Sequence, residues 1–344
     1  MKTTKSRISF ALLIACVGLV YSCTKNNAAG SNSTTTTADV QTQSDDDAQV
    51  STESDAVSND VNTALYSSVT VSGSSAGAVE GSGRLTVMGG GVKTVDSTIT
   101  VTDTMNTTLI CDASFNVKDS GGIRTVTITY NGTNCWGDRT RTGTVVISMP
   151  VGTYWRDAGA TVSVSIQNLT ITRKSDNKVI VINGTKTITN VSGGLLIDLA
   201  TLGTITHTIS GSLSITFPNG STRVWGEAKK RVFTYNDGVV ITTTGTHTDS
   251  LSNSDVAEWG VDRFGNAFES LITQPKVFAQ SCDFLLTSGQ NEILTSEGIT
   301  ATITYGLNSS GDATGCPTGN ATYYYKLLIT LANGKTYTFI EPYY

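Results

Sequence analysis

Histidine is nearly absent: His207 and His247 are the only two in 344 residues. That weakens any reading built on a Ser-His-Asp triad or a histidine metal site, since both need imidazole as base or ligand. No C-x-x-C pair occurs, so zinc sites of finger or ribbon spacing have no support. Proline is scarce, at five residues, and no helix-length apolar pattern interrupts the strand-like segments after residue 65. This argues against βαβ units, which need a crossover helix. Bases do not exceed acids (Lys+Arg 23 against Asp+Glu 28), so the basic face that nucleic-acid binding requires is missing. After the first 22 residues no apolar run approaches the ~20 residues of a bilayer-spanning helix.

What is present begins with a leader. Lys2, Lys5 and Arg7 form a basic region, and an apolar run from Ile8 to Tyr21 follows. Residues 1–22 are therefore expected to be a secretory signal peptide. Two cysteines compete as the lipid-bearing residue. Leu13-Ile14-Ala15-Cys16 fits the lipobox letters better, whereas Leu19-Val20-Tyr21-Ser22-Cys23 leaves an apolar region of normal length and is followed at once by polar sequence. Cys23 is the expected lipidation site, with Cys16 as the alternative. Several acyl chains on one residue give stable anchoring, so a membrane is the expected partner through the lipid.

Charge is segregated along the chain. Residues 24–65 hold seven acids (Asp39, Asp45, Asp46, Asp47, Glu53, Asp55, Asp60) and one base, Lys25. Residues 23–44 are rich in Asn, Ser, Thr, Ala and Gly and are expected to form a disordered tether. Ser44 is a suitable N-cap before three aspartates, and Val50, Val57, Val61, Ala64 and Leu65 follow at helical spacing. One amphipathic helix over 45–65 is predicted, docked on the body. The acid run lacks the alternating spacing and closing Glu of an EF-hand.

From residue 66 to residue 344 the period is two. Val126, Ile128 and Tyr130 alternate with threonines, Val162, Val164 and Ile166 with serines, and Leu213, Ile215 and Phe217 with Ser214 and Thr216. Asn131-Gly132, Asn183-Gly184, Asn219-Gly220, Asp237-Gly238 and Asn333-Gly334 carry hairpin-turn chemistry. Gln167-Asn168 shifts the alternation by one and predicts a bulge. The expected fold class is all-β: an antiparallel meander forming a long twisted sheet or a two-sheet sandwich.

Four cysteines remain in the body, and spacing alone leaves their three pairings open. An internal echo chooses among them. Residues 122–130 (GIRTVTITY) resemble 298–305 (GITATITY), and each copy lies between two cysteines. Two similar hairpin units, about 111–143 and 282–340, are expected, closed by Cys111–Cys135 and Cys282–Cys316.

Several of these features stand together in a known group. Ser-Cys-Thr-Lys at residues 22–25, the Ser-Asp-Ala to Asn-Asp-Val-Asn segment at 54–62, the threonine-rich strand running into a cysteine loop at 125–143, and Asn-Gly-Lys-Thr-Tyr-Thr at 333–338 resemble a recurrent group of uncharacterised Bacteroidota cell-envelope lipoproteins. The loop departs slightly, with Gly137-Asp138 where the group has Asp-Gly. The resemblance covers most of the mature chain and implies an outer-membrane, lipid-anchored location, with leaflet and face left open. It implies no activity. Asp96-Ser97-Thr98, Asp103-Thr104-Met105 and Asp249-Ser250-Leu251 also resemble the O-glycosylation signal of that phylum.

Catalytic candidates are thin, and no catalytic residue, metal ligand or cofactor is assigned. Gly73-Ser74-Ser75-Ala76-Gly77 matches a nucleophile-elbow string but sits in a Gly/Ser-rich stretch. Ser175-Asp176-Asn177-Lys178 reads as a hairpin turn. His207 shares an apolar face, and His247 is expected in solvent. Arg223, Trp225, Glu227, Lys229 and Arg231 alternate along one strand, either as a solvated face of ion pairs or as a ligand surface for glycans. Glu227 and Glu258 are conceivable as a glycosidase pair, which needs ~5–9 Å of separation. Three functions follow: a non-enzymatic binding or structural module with a glycan or protein partner, a glycan-acting hydrolase, and an envelope carrier whose core must be hollow and apolar.

Overall fold

The computed structural model describes residues 36–73, 110–250, 252–317 and 322–342. The signal peptide, Cys16, Cys23, most of the tether, the string after Gly73, and the Asp96 and Asp103 sites lie outside the described residues, as does Leu251 of the third site.

One long helix, α1 (Thr37–Ser67), precedes fourteen strands. The first seven are β1 (Ala113–Ser120), β2 (Ile123–Thr133), β3 (Arg139–Pro150), β4 (Ala160–Arg173), β5 (Val179–Asn190), β6 (Thr204–Thr216) and β7 (Thr222–Tyr235). The remainder are β8 (Val239–Gly245), β9 (Val256–Val261), β10 (Ala267–Ala279), β11 (Leu286–Thr295), β12 (Thr300–Leu307), β13 (Tyr324–Thr330) and β14 (Thr336–Pro342). All belong to one sheet, in chain order, with every pairing antiparallel. Thus the all-β meander holds, and the long sheet replaces the sandwich. Strands β8 and β9 share one slot: both pair with β7 and with β10, β9 opposite Trp225–Glu227 and β8 opposite Lys229–Tyr235.

The helix starts earlier than its sequence signals suggest. Thr36, not Ser44, is the N-cap: its hydroxyl accepts from the Asp39 N–H, and the Asp39 carboxylate accepts from the Thr36 N–H. This capping box satisfies the free donors of the first turn, so residues 37–44, expected in the tether, are helical. Val50, Val57, Val61, Ala64 and Leu65 are buried as predicted, but so are Asp46, Asp47, Glu53 and Asp55 on other sides of the helix. Side chains of β2, β3, β4, β5, β7 and β10 all hydrogen-bond to α1. A single helix touches strands so far apart in the sheet order only if the sheet curls around it. Consequently α1 and the strands form one compact unit from Thr36 onward, and the body does not begin at residue 66.

Turn chemistry is divided. Asn219-Gly220, Asp237-Gly238 and Asn333-Gly334 connect consecutive strands, whereas Asn131-Gly132 and Asn183-Gly184 lie inside β2 and β5. The second case serves the bulge in the adjacent strand. Asn168 has φ 51°, and its N–H donates to the Asn183 side-chain carbonyl at 2.7 Å. Gly184 has φ 137°, and a Cβ there would stand 2.3 Å from the Ser212 carbonyl oxygen. The register of β4 slips on both sides of this point, as the Gln167-Asn168 signal predicts.

Each disulfide closes one hairpin. Cys111–Cys135 spans β1 and β2, and Cys282–Cys316 spans β11 and β12, both with Cα atoms 5.1 Å apart. Closing loops of this size contributes about 3–4 kcal/mol each by chain entropy. No helix of the described residues is long and apolar enough to cross a membrane.

Candidate functional site: a charged interior and the cleft at its end

The acids of α1 are one half of an interior ion-pair system. Asp45 pairs with Arg173 (2.7 Å) and Lys178 (2.6 Å), and Asp46 with Lys178 (2.6 Å) and with Arg263. Glu53 meets Arg139 of β3, and Asp60 meets Arg141 two residues on, at 2.7 Å. Arg141 also grips Asp112 through Nε and Nη2, each at 2.7 Å, and lies 4.4 Å over the Tyr130 ring. Burial pushes the Asp60 carboxyl up, and Arg141 with the Tyr130 hydroxyl only partly offsets this.

The candidate strand β7 supplies the centre. Its alternation is as predicted, but the face it builds is internal: Trp225, Glu227, Lys229 and Arg231 are buried, and only Arg223 is partly exposed. The expected ligand surface is therefore not a surface. The sheet curls with this face toward α1, which lays Ser54, Asp55 and Ser58 against it. Lys229 Nζ sits 3.1 Å from Asp55, 2.6 Å from Glu258 and 4.0 Å from Glu227. Lys186 Nζ lies 3.0 Å from Glu227 and donates to the Ser54 carbonyl at 2.9 Å. Burial raises Asp55, but Lys229, with Arg231, Lys276 and Lys186 behind it, outweighs burial and holds the carboxyl at about 2. Glu227 is likewise pushed up by burial and brought below its ordinary value by Lys186 and Lys229.

Glu227 and Glu258 do meet, as directly opposed residues of β7 and β9. Directly opposed residues have Cβ atoms about 4.5–5.5 Å apart, so the register alone is compatible with a glycosidase pair. The chemistry differs, however. Both are covered, Lys229 lies between them, and Glu227 is held ionised rather than raised toward the value of a general acid. The carboxyl raised beside this pair is Asp47 of α1: burial and the adjacent Glu258 charge push it up to about 7, against Lys276 and Lys229. The Ser270 hydroxyl donates to it at 3.4 Å.

The histidines are apart. His207 is wholly buried between Trp155 (5.1 Å) and Phe233 (4.6 Å), and burial, with Arg231 nearby, lowers it to about 3. His247, expected in solvent, is half-buried because it stacks on Trp259 at 4.2 Å. Ser175-Asp176-Asn177-Lys178 is the β4–β5 turn, with Asn177 at φ 59°. Among the described residues no group of three His, Cys, Asp or Glu side chains is placed to hold a metal ion.

A cleft of about 1020 Å³ opens where the N-terminal half of α1 meets the ends of β3, β4, β13 and β14. Tyr305, Tyr325 and Leu327 form its apolar wall; Asp45, Arg173 and Lys174 are among its charged residues. Gln49 and Glu53 line it from the helix. Both amide atoms of Gln49 and one carboxylate oxygen of Glu53, Oε2, are buried with no hydrogen-bond partner among the described residues. A buried polar group left this way costs about 1–3 kcal/mol, and a side-chain turn toward the cleft would let a polar ligand or water satisfy it. Gln49 and Glu53 carry no sequence motif. Their only sequence signal is their place on a helix whose acids face bases more than eighty residues away.

No protein-family model matches the chain, and neither the curated proteins nor the solved structures yield a match.

Proposed function

We propose that this chain is an exported, lipid-anchored envelope protein of the Bacteroidota type, non-enzymatic, whose body binds a hydroxyl-rich ligand, a glycan, in the cleft beside the helix N-terminus. The observation that carries the reading is the cleft floor. Gln49 offers an unused donor and an unused acceptor, Glu53 an unused acceptor, and tyrosines stand on the opposite wall. Sugars present donors, acceptors and an apolar ring face together, which is the complement of such a lining. Two disulfides fit an oxidising compartment. With the lipid on Cys23, twelve residues separate the anchor from Thr36. Such a segment spans at most ~45 Å in any conformation, so the cleft works close to the membrane surface, in an outer-membrane setting.

The competing functions find less support. A hydrolase needs a reachable carboxyl pair with divided pKa values, and the Glu227–Glu258 pair is covered and bridged by lysine. A carrier of apolar ligands needs a hollow lined by Val and Ile, and here a charged helix occupies the interior.

The test is an array of glycans and peptidoglycan fragments probed with the exported chain, α1 included and disulfides formed. Saturable binding that falls at least tenfold in Gln49→Ala is expected, with Trp225→Ala tested for folding only. Binding that is absent, or indifferent to Gln49→Ala and Tyr325→Ala, would remove the cleft as the site.

A further inference from the structure

Four inward-facing polar residues stand directly opposite one another across four adjacent strands. Asn190 of β5 is paired with His207 of β6, His207 with Arg231 of β7, and Arg231 with Thr243 of β8. Each is wholly buried, at 0 % exposure. Seven of their side-chain atoms have no hydrogen-bond partner among the described residues: Asn190 Oδ1, His207 Nδ1 and Nε2, Arg231 Nε, Nη1 and Nη2, and Thr243 Oγ1. Core polar groups are paired as a rule, and a row of orphans in one place calls for a partner.

The chemistry of the row states which partner. A guanidinium carries five N–H donors and no acceptor, and a hydroxyl adds another donor. Against these stand Asn190 Oδ1, one imidazole nitrogen and the hydroxyl oxygen itself, while the other imidazole nitrogen is a further donor, so donors and positive charge are in excess. The Asn190 amide is already oriented, because its Nδ2 donates to the Trp155 carbonyl at 2.8 Å and the Gly194 carbonyl at 3.0 Å. The carboxylates nearest in charge are engaged elsewhere: Asp55 with Lys229, Glu227 with Lys186 and Ser54. The Phe278 ring lies 5.8 Å from the Arg231 guanidinium, and Phe233 and Trp155 flank His207. Aromatic walls lower the local dielectric and strengthen a charge contact made there. Burial also lowers the Arg231 pKa, the sign of a cation short of a counter-charge.

We propose that this row is a binding site for a small inorganic anion of halide size, held chiefly by the Arg231 guanidinium and the Thr243 hydroxyl. The site is separate from the cleft and stands whether or not the cleft binds glycans. An anion here adds a counter-charge beside Arg231 in an interior where four buried acids (Asp47, Asp55, Glu227, Glu258) face four buried bases (Lys186, Lys229, Arg231, Lys276). Because the row is fully covered, exchange follows local opening rather than diffusion through a mouth.

Bromide is the probe. Crystals of the unaltered chain grown in bromide should show an anomalous peak within hydrogen-bond reach of the Arg231 guanidinium. The thermal midpoint at constant ionic strength should climb with the logarithm of bromide concentration, as linkage requires of a ligand bound only by the folded state. Thr243→Val, which keeps shape, should weaken that climb, and Arg231→Met should abolish it. If Arg231→Met fails to fold, the diffraction result on the unaltered chain still decides. Peaks confined to surface residues, a water in place of bromide, or direct bonds from Arg231 to His207 and Asn190 would each overturn the proposal.

Discussion

Lys229→Met removes one ammonium from the centre of the fold while keeping its apolar stem. Lys229 is within 4.0 Å of three buried carboxylates, those of Asp55, Glu258 and Glu227. Breaking one buried pair by deleting a partner costs about 3–5 kcal/mol, because the remaining charge is left desolvated. Three carboxylates lose a shared cation here, so the upper half of that range is expected, on the order of a thousandfold in the folding equilibrium. Guanidinium unfolding with disulfides intact, followed by tryptophan fluorescence, measures the loss. The loss also depends on pH. In the unaltered chain Lys229 leads the bases that hold Asp55 at about 2 against burial. Without it, burial dominates, and the folded pKa rises above the unfolded value. The folded variant then keeps a proton that the unfolded chain releases above about pH 4, so its stability falls as pH rises through that window. The deficit should therefore be smaller near about pH 5 than near about pH 8. The triple variant Lys229→Met, Asp55→Asn, Glu258→Gln should recover most of it, since neutral groups of the same shape replace the stranded charges. A deficit under about 1 kcal/mol, the value of an exposed pair, or one equal at both pH values, would refute the account of the interior.

Two further outcomes follow from named groups. Asp47 is pushed up to about 7 by burial and Glu258. Between about 4 and 7 the folded state holds a proton that the unfolded state has lost, so this group's contribution falls as pH rises through the window. Asp47→Asn should match the parent near about pH 4 and exceed it by a margin that grows until about pH 7 in chemical unfolding; equal stability differences at about pH 4 and about pH 8 would contradict the raised carboxyl. Replacing Cys111 and Cys135 together by serine should lower stability by about 3–4 kcal/mol, the chain-entropy value for that loop, with β1 and β2 losing hydrogen-exchange protection first.

Much of the strand plan was readable in advance. Alternation at Val126, Ile128 and Tyr130 or at Val162, Val164 and Ile166 marks buried faces directly, and all six residues are buried. The bulge at Gln167-Asn168 showed as a break in that period. The cysteine pairs were readable because two hairpins carry the same residue pattern. Asn183-Gly184 misled, because Asn-Gly supplies positive φ and close backbone approach for a bulge as readily as for a turn; Asn131-Gly132 lies within β2 in unbroken register. The helix start misled for another reason: the Thr36–Asp39 box lies in low-complexity sequence, where threonines offer many equivalent caps.

The candidate site was less legible. Residues 24–65 show seven acids against one base, and nothing in that run names the bases they meet. Five of them, Asp45, Asp46, Glu53, Asp55 and Asp60, pair with bases scattered over β3, β4, β7 and the loops that follow β4 and β9. Gln49 and Glu53 were invisible as cleft residues, since nothing in a helical repeat says which turn lies at an open end.

By itself, then, the sequence determined the local alternation, the antiparallel chain order and the hairpins that the cysteines close, because each depends on residues near one another along the chain. Whether the face of Glu227, Lys229 and Arg231 meets water or a helix was decided only by the curl of the sheet and the lodging of α1 within it. A period of two tells which side chains share a face; it carries no information about what that face encloses, which is set by pairings between residues more than a hundred positions apart.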